Sequence, residues 1–71
     1  MSINIKESIS NLEIDKKIVT ILNEHNINNI EQLWMLNRKD LKKIKLTDEQ
    51  IKHISIRMQL SGIDLNHKIY N

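Results

Sequence analysis

Apolar residues in the first third of the chain recur at helical spacing. Ile18 and Leu22 lie four positions apart and share one face of an amphipathic helix. Asp15 precedes them at the position where an N-cap residue is favoured, and the pattern continues to about His25. Asn26 then suits the left-handed backbone conformation that ends many helices. We predict a first helix between these two boundaries.

Two shorter helices are predicted next, and an asparagine introduces each of them. Asn29 opens a helix whose inner face carries Leu33 and Trp34. Asn37 opens another helix over residues 38–44. The turns between the predicted helices are only a few residues long, so the pattern indicates a compact orthogonal bundle and not a coiled coil.

The start of the last helix carries the clearest local signal in the chain. Thr47 and Gln50 have the spacing of a capping box, in which each side chain accepts a hydrogen bond from the backbone of the other. Residues 48 and 49 are acidic and complement the helix dipole. The helix is predicted to run to about Leu60, and Gly62, the only glycine, follows where a C-terminal cap needs it.

These elements predict an all-α fold, a compact bundle of four to five helices. We divide the chain into an N-terminal arm or short helix over residues 1–10, a helical binding domain over residues 11–65, and a frayed tail over residues 66–71. At 71 residues the chain is long enough for one domain only.

The order of the helices and the spacing of core positions resemble the C-terminal domain of the bacterial RNA polymerase alpha subunit. The resemblance covers residues 9–65 with one short gap, and it is mostly a pattern of core positions. That fold is shared with SAM domains, so the resemblance implies a SAM-domain-like bundle with a helix-hairpin-helix between about Arg38 and Leu60. The positions that carry it are Ile9, Leu12, Ile14, Ile21, Leu22, Asn26, Ile27, Ile30, Leu33, Asp40, Leu41, Leu46, Ile51, Ile54, Gly62, Ile63 and Leu65.

The resemblance also implies a function, because the polymerase domain binds the minor groove of DNA and contacts transcription activators. Its DNA-contacting arginine and asparagine on the first helix correspond here to Lys17 and Thr20. The glycine of its hairpin corresponds to Thr47, its lysine falls near Glu49 and its serine near Gln50. The hairpin therefore departs from the family pattern at each of its DNA-contacting positions.

This departure has a physical consequence for phosphate binding. A glycine allows backbone amides to approach a phosphate closely, whereas Thr47 and Gln50 are expected to use those amides in a capping box. Asp48 and Glu49 would repel the phosphate. We expect only weak binding of double-stranded DNA, through the basic and polar residues that remain. These candidates are Lys16, Lys17, Thr20, Lys43 and Lys45. An alternative interpretation of the basic run from Arg38 to Lys45 is the solvated face of a short helix.

A second apolar stripe on the last helix suggests a protein partner. His53, Ile56 and Leu60 lie on roughly the opposite side from the core-facing residues. Either the N-terminal arm covers the stripe with Ile3 and Ile5, or a second copy or another protein does, which makes a homodimer through the last helix one possibility.

The single tryptophan, Trp34, is a candidate partner anchor, because tryptophan often dominates protein interfaces. Its spacing from Ile30 also fits a residue at the edge of the core. Both interpretations stay open at the level of the sequence.

Composition narrows the function classes. The chain has no cysteine and one glycine, which excludes disulfides, cysteine-ligated zinc and a glycine-rich phosphate loop. The three histidines show no metal-ligand spacing and are interpreted as surface residues, so no metal or cofactor is expected.

No signal peptide or stretch of about 20 apolar residues is present, so we expect a cytoplasmic protein without membrane association. The net charge of +2 is only mildly basic.

Together these observations predict a non-enzymatic binding module. The first hypothesis is a transcription-related adaptor or regulator from a bacterium or phage, which acts by protein contacts with weak DNA binding. Because the chain begins at Met1 and shows no assembly domain, we expect an adaptor or mimic and not a polymerase subunit. The alternative is a SAM-like domain for self-association or hetero-association.

Overall fold

Helices dominate residues 4–70, which are the residues that the computed structural model describes. They form one 3-10 helix, Ile9–Leu12, and four α-helices: α1 Lys16–Glu24, α2 Ile30–Trp34, α3 Arg38–Lys43 and α4 Asp48–Leu60. Two short strands follow, β1 Ile63–Asp64 and β2 Lys68–Ile69. The mostly helical fold is confirmed. The expectation of an all-α fold is corrected, because the two strands pair as a small antiparallel sheet.

The predicted helix starts are confirmed at the level of individual hydrogen bonds. The carboxylate of Asp15 accepts from the amide of Lys17 at the start of α1. Asn29 and Asn37 cap α2 and α3, and both belong to capping boxes. At the start of α4 the backbone amide of Gln50 donates to the Thr47 hydroxyl, and the backbone amide of Thr47 donates to the side-chain oxygen Oε1 of Gln50. These local contacts fix where each helix begins.

A left-handed residue follows α1, α3 and α4, and only the one after α4 is glycine. Asn26 has φ 63° after α1, as its sequence position predicts, and Gly62 has φ 87° after α4. Lys45 has φ 72° after α3, where a left-handed backbone costs a non-glycine residue about 1 kcal/mol. The amide of Leu46 then donates to the Leu41 carbonyl over 3.3 Å. This bond closes the tight hairpin between α3 and α4.

One buried cluster of apolar side chains joins every element except β2. It draws on the 3-10 helix, on every α-helix, on β1 and on the connecting turns. None of its members is more than 8% exposed. The cluster consists of Ile9, Leu12, Ile14, Ile18, Leu22, Ile27, Ile30, Leu33, Leu41, Leu46, Ile51, Ile54, Met58, Ile63 and Leu65. Within residues 4–70, no helix has the length and apolar character that a bilayer crossing requires.

The N-terminal segment packs beside the start of α2. The amide of Glu31 donates to the Ile5 carbonyl over 2.8 Å, and the amide of Ile30 donates to the Glu7 carbonyl over 2.9 Å. Ile5 is half-buried against the core. Its position does not cover the outer side of α4, where Leu60 is 66% exposed. Ile3, the other residue expected to cover that side, lies outside the described residues.

The sequence predicts a frayed tail over residues 66–71, but hydrogen bonds hold residues 66–70, the described part of that segment, against the domain. The amide of Asn66 donates to the Leu36 carbonyl over 2.7 Å, and the amide of His67 donates to the Trp34 carbonyl over 2.8 Å. The Trp34 indole N–H donates to the Lys68 carbonyl over 2.9 Å. Asn66 and His67 both have φ 64°, which turns the chain back onto β1. Residue 71 lies outside the described residues.

Candidate binding surfaces

The outer side of α4 exposes two large apolar residues. Ile51, Ile54 and Met58 point into the core and are almost completely buried. Ile56 and Leu60 lie one turn apart on the other side, 46% and 66% exposed. The predicted second stripe is therefore present on the surface for these two residues.

His53, the third member of the predicted stripe, has a structural role. Its Nε2 accepts a hydrogen bond from the amide of Asp15 over 3.2 Å, and its ring is half-buried. The contact joins the start of α1 to the first turns of α4. The interpretation of His53 as a surface histidine is therefore corrected. We exclude His53 from the partner surface, which we define as Ile56 and Leu60 and call the α4 outer face.

Arg57 lies one turn after His53 on the same side of α4, and it joins this helix to the N-terminal part of the chain. Its Nε donates to the Leu12 carbonyl over 2.9 Å, and its guanidinium pairs with the Glu13 carboxylate. Together with the bond between His53 and Asp15, this contact fixes α4 against the segment that precedes α1. The α4 outer face is therefore presented on a helix that is anchored along one side.

Trp34 lies at the edge of the core and is not an exposed side chain that could anchor a partner. It is half-buried, its indole N–H is bonded to the Lys68 carbonyl, and its ring centroid lies 4.0 Å from that of His67. The large apolar ring therefore holds the C-terminal hairpin. This contact favours the core-edge interpretation, and we do not include Trp34 in the proposed partner surface.

The candidate nucleic-acid residues lie at the start of α1 and around the α3–α4 hairpin. Lys16 and Lys17 are exposed in the first turn of α1, which the bond between Asp15 and His53 places beside α4. The Thr20 hydroxyl donates to the Lys16 carbonyl over 3.0 Å, so this candidate already has a partner in its own helix. Lys43 and Lys45 are exposed at the end of α3 and in the turn that follows it.

The start of α4 at the α3–α4 hairpin is partly occupied by the chain's own side chains. The capping box uses the amides of Thr47 and Gln50, as the sequence predicts. Asp48 lies beside them and pairs with Lys42, with 2.9 Å between the carboxylate oxygen and the ammonium nitrogen. Two of the amides that would hold a phosphate are thus engaged, and a carboxylate stands at the helix start. Lys43 and Lys45, at the edge of this helix start, are exposed.

The sequence analysis did not predict a buried carboxylate where α4 meets the C-terminal hairpin that β1 and β2 form. Asp64 is 6% exposed, although its sequence position suggests a cap or an exposed residue. Ser55 Oγ donates to its Oδ1 over 2.6 Å, and the amide of Leu65 donates to the same oxygen over 2.7 Å. Gln59 Nε2 and the Tyr70 hydroxyl donate to Oδ2 over 3.0 and 3.3 Å. All of these donors point at a single buried anion.

The pKa of Asp64 reflects two opposing effects. Burial raises the pKa of this carboxyl, because the charged form loses its hydration. The hydrogen bonds from Ser55, Gln59, Leu65 and Tyr70 favour the charged form, and together they outweigh burial, so the pKa lies below its ordinary value. The carboxylate is therefore a structural anion that orders the end of the chain.

Residues 4–70 contain no group of three or more histidine and acidic side chains arranged to hold an ion. Comparison with the models of known protein families, with curated proteins and with solved structures finds no match. The candidate surfaces therefore depend on the geometry of this chain alone.

Proposed function

We propose that this chain is a small non-enzymatic binding module that acts by protein contacts in transcription or its regulation. The observation that carries the proposal is the α4 outer face, where Ile56 and Leu60 are exposed one turn apart on a helix whose core-facing side is already complete. Apolar side chains of this size release about 1.5–3 kcal/mol each when a partner buries them fully. A module that contacts the transcription machinery works in the cytoplasm, which is where we place it.

The resemblance to the polymerase alpha C-terminal domain supports the transcription assignment. The short helix α3, the tight turn at Lys45 and the longer helix α4 follow the order of a helix-hairpin-helix. In the resembled family this SAM-domain-like bundle contacts transcription activators. Protein contacts do not depend on the amides that the capping box of α4 uses, so we retain this part of the family's function in the proposal. The partner we propose is accordingly a different protein of the transcription machinery.

The double substitution Ile56→Asp with Leu60→Asp is expected to abolish partner binding without unfolding the domain, because both side chains are exposed. We expect immobilised wild-type protein to retain transcription proteins from a bacterial lysate, measured by quantitative mass spectrometry, and the double variant to retain at least about tenfold less. Met35→Asp is the matched control, because Met35 is also apolar and 63% exposed but lies at the end of α2. Equal retention on all three proteins would contradict the proposal.

Self-association through the same face is the second candidate, in line with a SAM-like association domain. Isologous pairing of two copies would bury Ile56 and Leu60 against each other's helices. Size-exclusion chromatography with light scattering separates the candidates. A wild-type dimer that becomes monomeric on Leu60→Asp would place self-association first, and a wild-type monomer leaves the face to a different protein.

Weak DNA binding is the third candidate, and the proximity of the α1 start to α4 favours it. We expect a short duplex to bind with a Kd of about 10⁻⁴–10⁻⁶ M. The combination of Lys17→Ala and Lys45→Ala should flatten the dependence of log K on log salt by about one for each phosphate that the variant no longer neutralises. Lys6→Ala is the control, because that ammonium already pairs with Glu31. Tight, salt-sensitive binding with a phosphate on the amides around Thr47 would make DNA the primary ligand.

A further inference from the structure

A groove between α3 and α4 gathers cations that the proposed contacts do not use. It is a half-open cavity of about 510 Å³ whose walls include Arg38, Lys39 and Lys42 from α3 and Lys52 from α4. A second cavity of about 370 Å³ lies on the other side of the α3 start, and Arg38 and Lys39 line both. The exposed side of α3 is therefore flanked by two concave surfaces that share two cations.

The charges around this groove are only partly neutralised within the chain. Lys42 pairs with Asp48, which is the one acidic residue that lines the groove. Within residues 4–70, Lys39 and Lys52 form no ion pair, and both side chains are exposed. The Arg38 guanidinium lies 3.5 Å from Ser55 Oγ and is otherwise directed at solvent. Three cations thus surround one concave surface without a carboxylate partner.

The distribution of charge along the chain strengthens this feature. Residues 1–36 contain three lysines and five acidic residues, whereas residues 37–71 contain eight lysines and arginines and four acidic residues. The net charge of the whole chain is only +2, but its C-terminal half is clearly basic. The groove lies entirely within that half, so its potential attracts an anionic partner more strongly than the net charge suggests.

The shape of the groove favours a protein segment over a nucleic-acid duplex. Ile51 lies at the floor of the groove and is almost completely buried, so the aliphatic stems of the lysines supply the apolar surface that a ligand would meet. A flexible chain can place separate carboxylates on cations around a concave surface, whereas the phosphates of a duplex follow a fixed rigid spacing. The acidic first turn of α4 also lies at the edge of the groove, where it opposes a continuous line of phosphates.

We propose that the groove between α3 and α4 binds an acidic segment of the protein partner, with carboxylates on Arg38, Lys39 and Lys52. This inference rests on the proposed function as a protein-binding module and names the chemistry of its partner. Electrostatic complementarity of this kind steers association and selects partners. The α4 outer face then supplies apolar contact, and the groove supplies selectivity for acidic sequence.

The test uses a fluorescein-labelled oligoglutamate peptide and the full chain labelled with ¹⁵N. At low salt we expect the peptide to shift the amide signals of residues 38–42 and of Lys52, and a peptide with glutamine in place of glutamate to shift none of them. The double variant Lys39→Glu with Lys52→Glu should weaken binding by at least about tenfold in fluorescence anisotropy. Lys16→Glu with Lys17→Glu is the matched control, because it changes the net charge equally at the start of α1.

Several outcomes would overturn the inference. An equal loss of affinity in the two double variants would show that the attraction is general and not centred on the groove. A short DNA duplex that shifts the same amides at lower concentration would assign the groove to nucleic acid, and the absence of peptide binding at low salt would leave it without its proposed ligand. The Ile56→Asp, Leu60→Asp variant should retain peptide binding, so failure of the groove and failure of the α4 outer face give different results.

Discussion

Truncation after Leu65 is expected to lower the free energy of unfolding by about 4 kcal/mol, although the sequence suggests that these residues are dispensable. The removed segment donates hydrogen bonds to the carbonyls of Leu36, Trp34 and Gly62, and it accepts one from the Trp34 indole. A typical intramolecular hydrogen bond contributes about 1 kcal/mol net to stability. For a domain of this size the loss corresponds to a fall in Tm on the order of 25 °C.

The measurement is urea denaturation followed by the fluorescence of Trp34, which is the only tryptophan and lies against the removed segment. Because truncation also changes the surroundings of this reporter, circular dichroism at the helical bands provides a second, independent transition. Lys68→Ala is the control, since the Trp34 bond is made to the backbone carbonyl of that residue and is preserved. A truncated chain as stable as the wild type would show that the hairpin contributes nothing to the fold.

The helix starts could be predicted because their determinants are local. In each capping box the partners are three residues apart, so the pair Thr47 and Gln50 is visible in the sequence alone. The left-handed Asn26 belongs to the same class, because asparagine tolerates that conformation better than most residues. The mostly helical fold follows from these boundaries and from apolar spacing between them.

The C-terminal hairpin and the role of His53 could not be predicted, because their partners are distant in the chain. The Trp34 indole bonds to Lys68, which is 34 positions away, and His53 Nε2 accepts from the Asp15 amide, which is 38 positions away. No local pattern marks such pairs. Strands of two residues also have no alternation to detect. For the same reason His53 was predicted to lie on the partner surface, although its hydrogen bond with the Asp15 amide connects α4 to the start of α1.

Part of the candidate partner surface could be predicted from the sequence. Helical periodicity alone places Ile56 and Leu60 opposite the core-facing residues of α4, and the structure leaves both exposed. Whether the N-terminal arm covers them depends on the path of the chain, which the sequence does not encode locally. The contacts of Ile5 and Glu7 with the start of α2 decide that question for the described part of the arm.

Replacement of Asp64 by asparagine is expected to cost about 2–3 kcal/mol of unfolding free energy near neutral pH. The side chain keeps its size, but one acceptor oxygen becomes an amide that faces donors and not acceptors. Ser55, Gln59 and the Leu65 amide then compete for a single oxygen in a site that is nearly closed to water. Urea denaturation at neutral pH measures this loss. Glu24→Gln, the same chemical change at an exposed position, should change the stability by less than about 0.5 kcal/mol.

The destabilisation by Asp64→Asn should depend on pH, whereas a packing defect alone would destabilise the protein equally at every pH. Because the folded-state pKa of Asp64 is lowered, its stabilisation is present above the pKa of the unfolded chain and is lost as the pH falls through the folded-state value. The difference in stability between the wild type and Asp64→Asn should therefore be largest above about pH 5 and shrink below about pH 4. Tyr70→Phe removes one donor and should lose about 1 kcal/mol while it retains the acid dependence. A difference that stayed constant from neutral pH to about pH 3 would mean that the charge of Asp64 does not stabilise the junction between α4 and the hairpin.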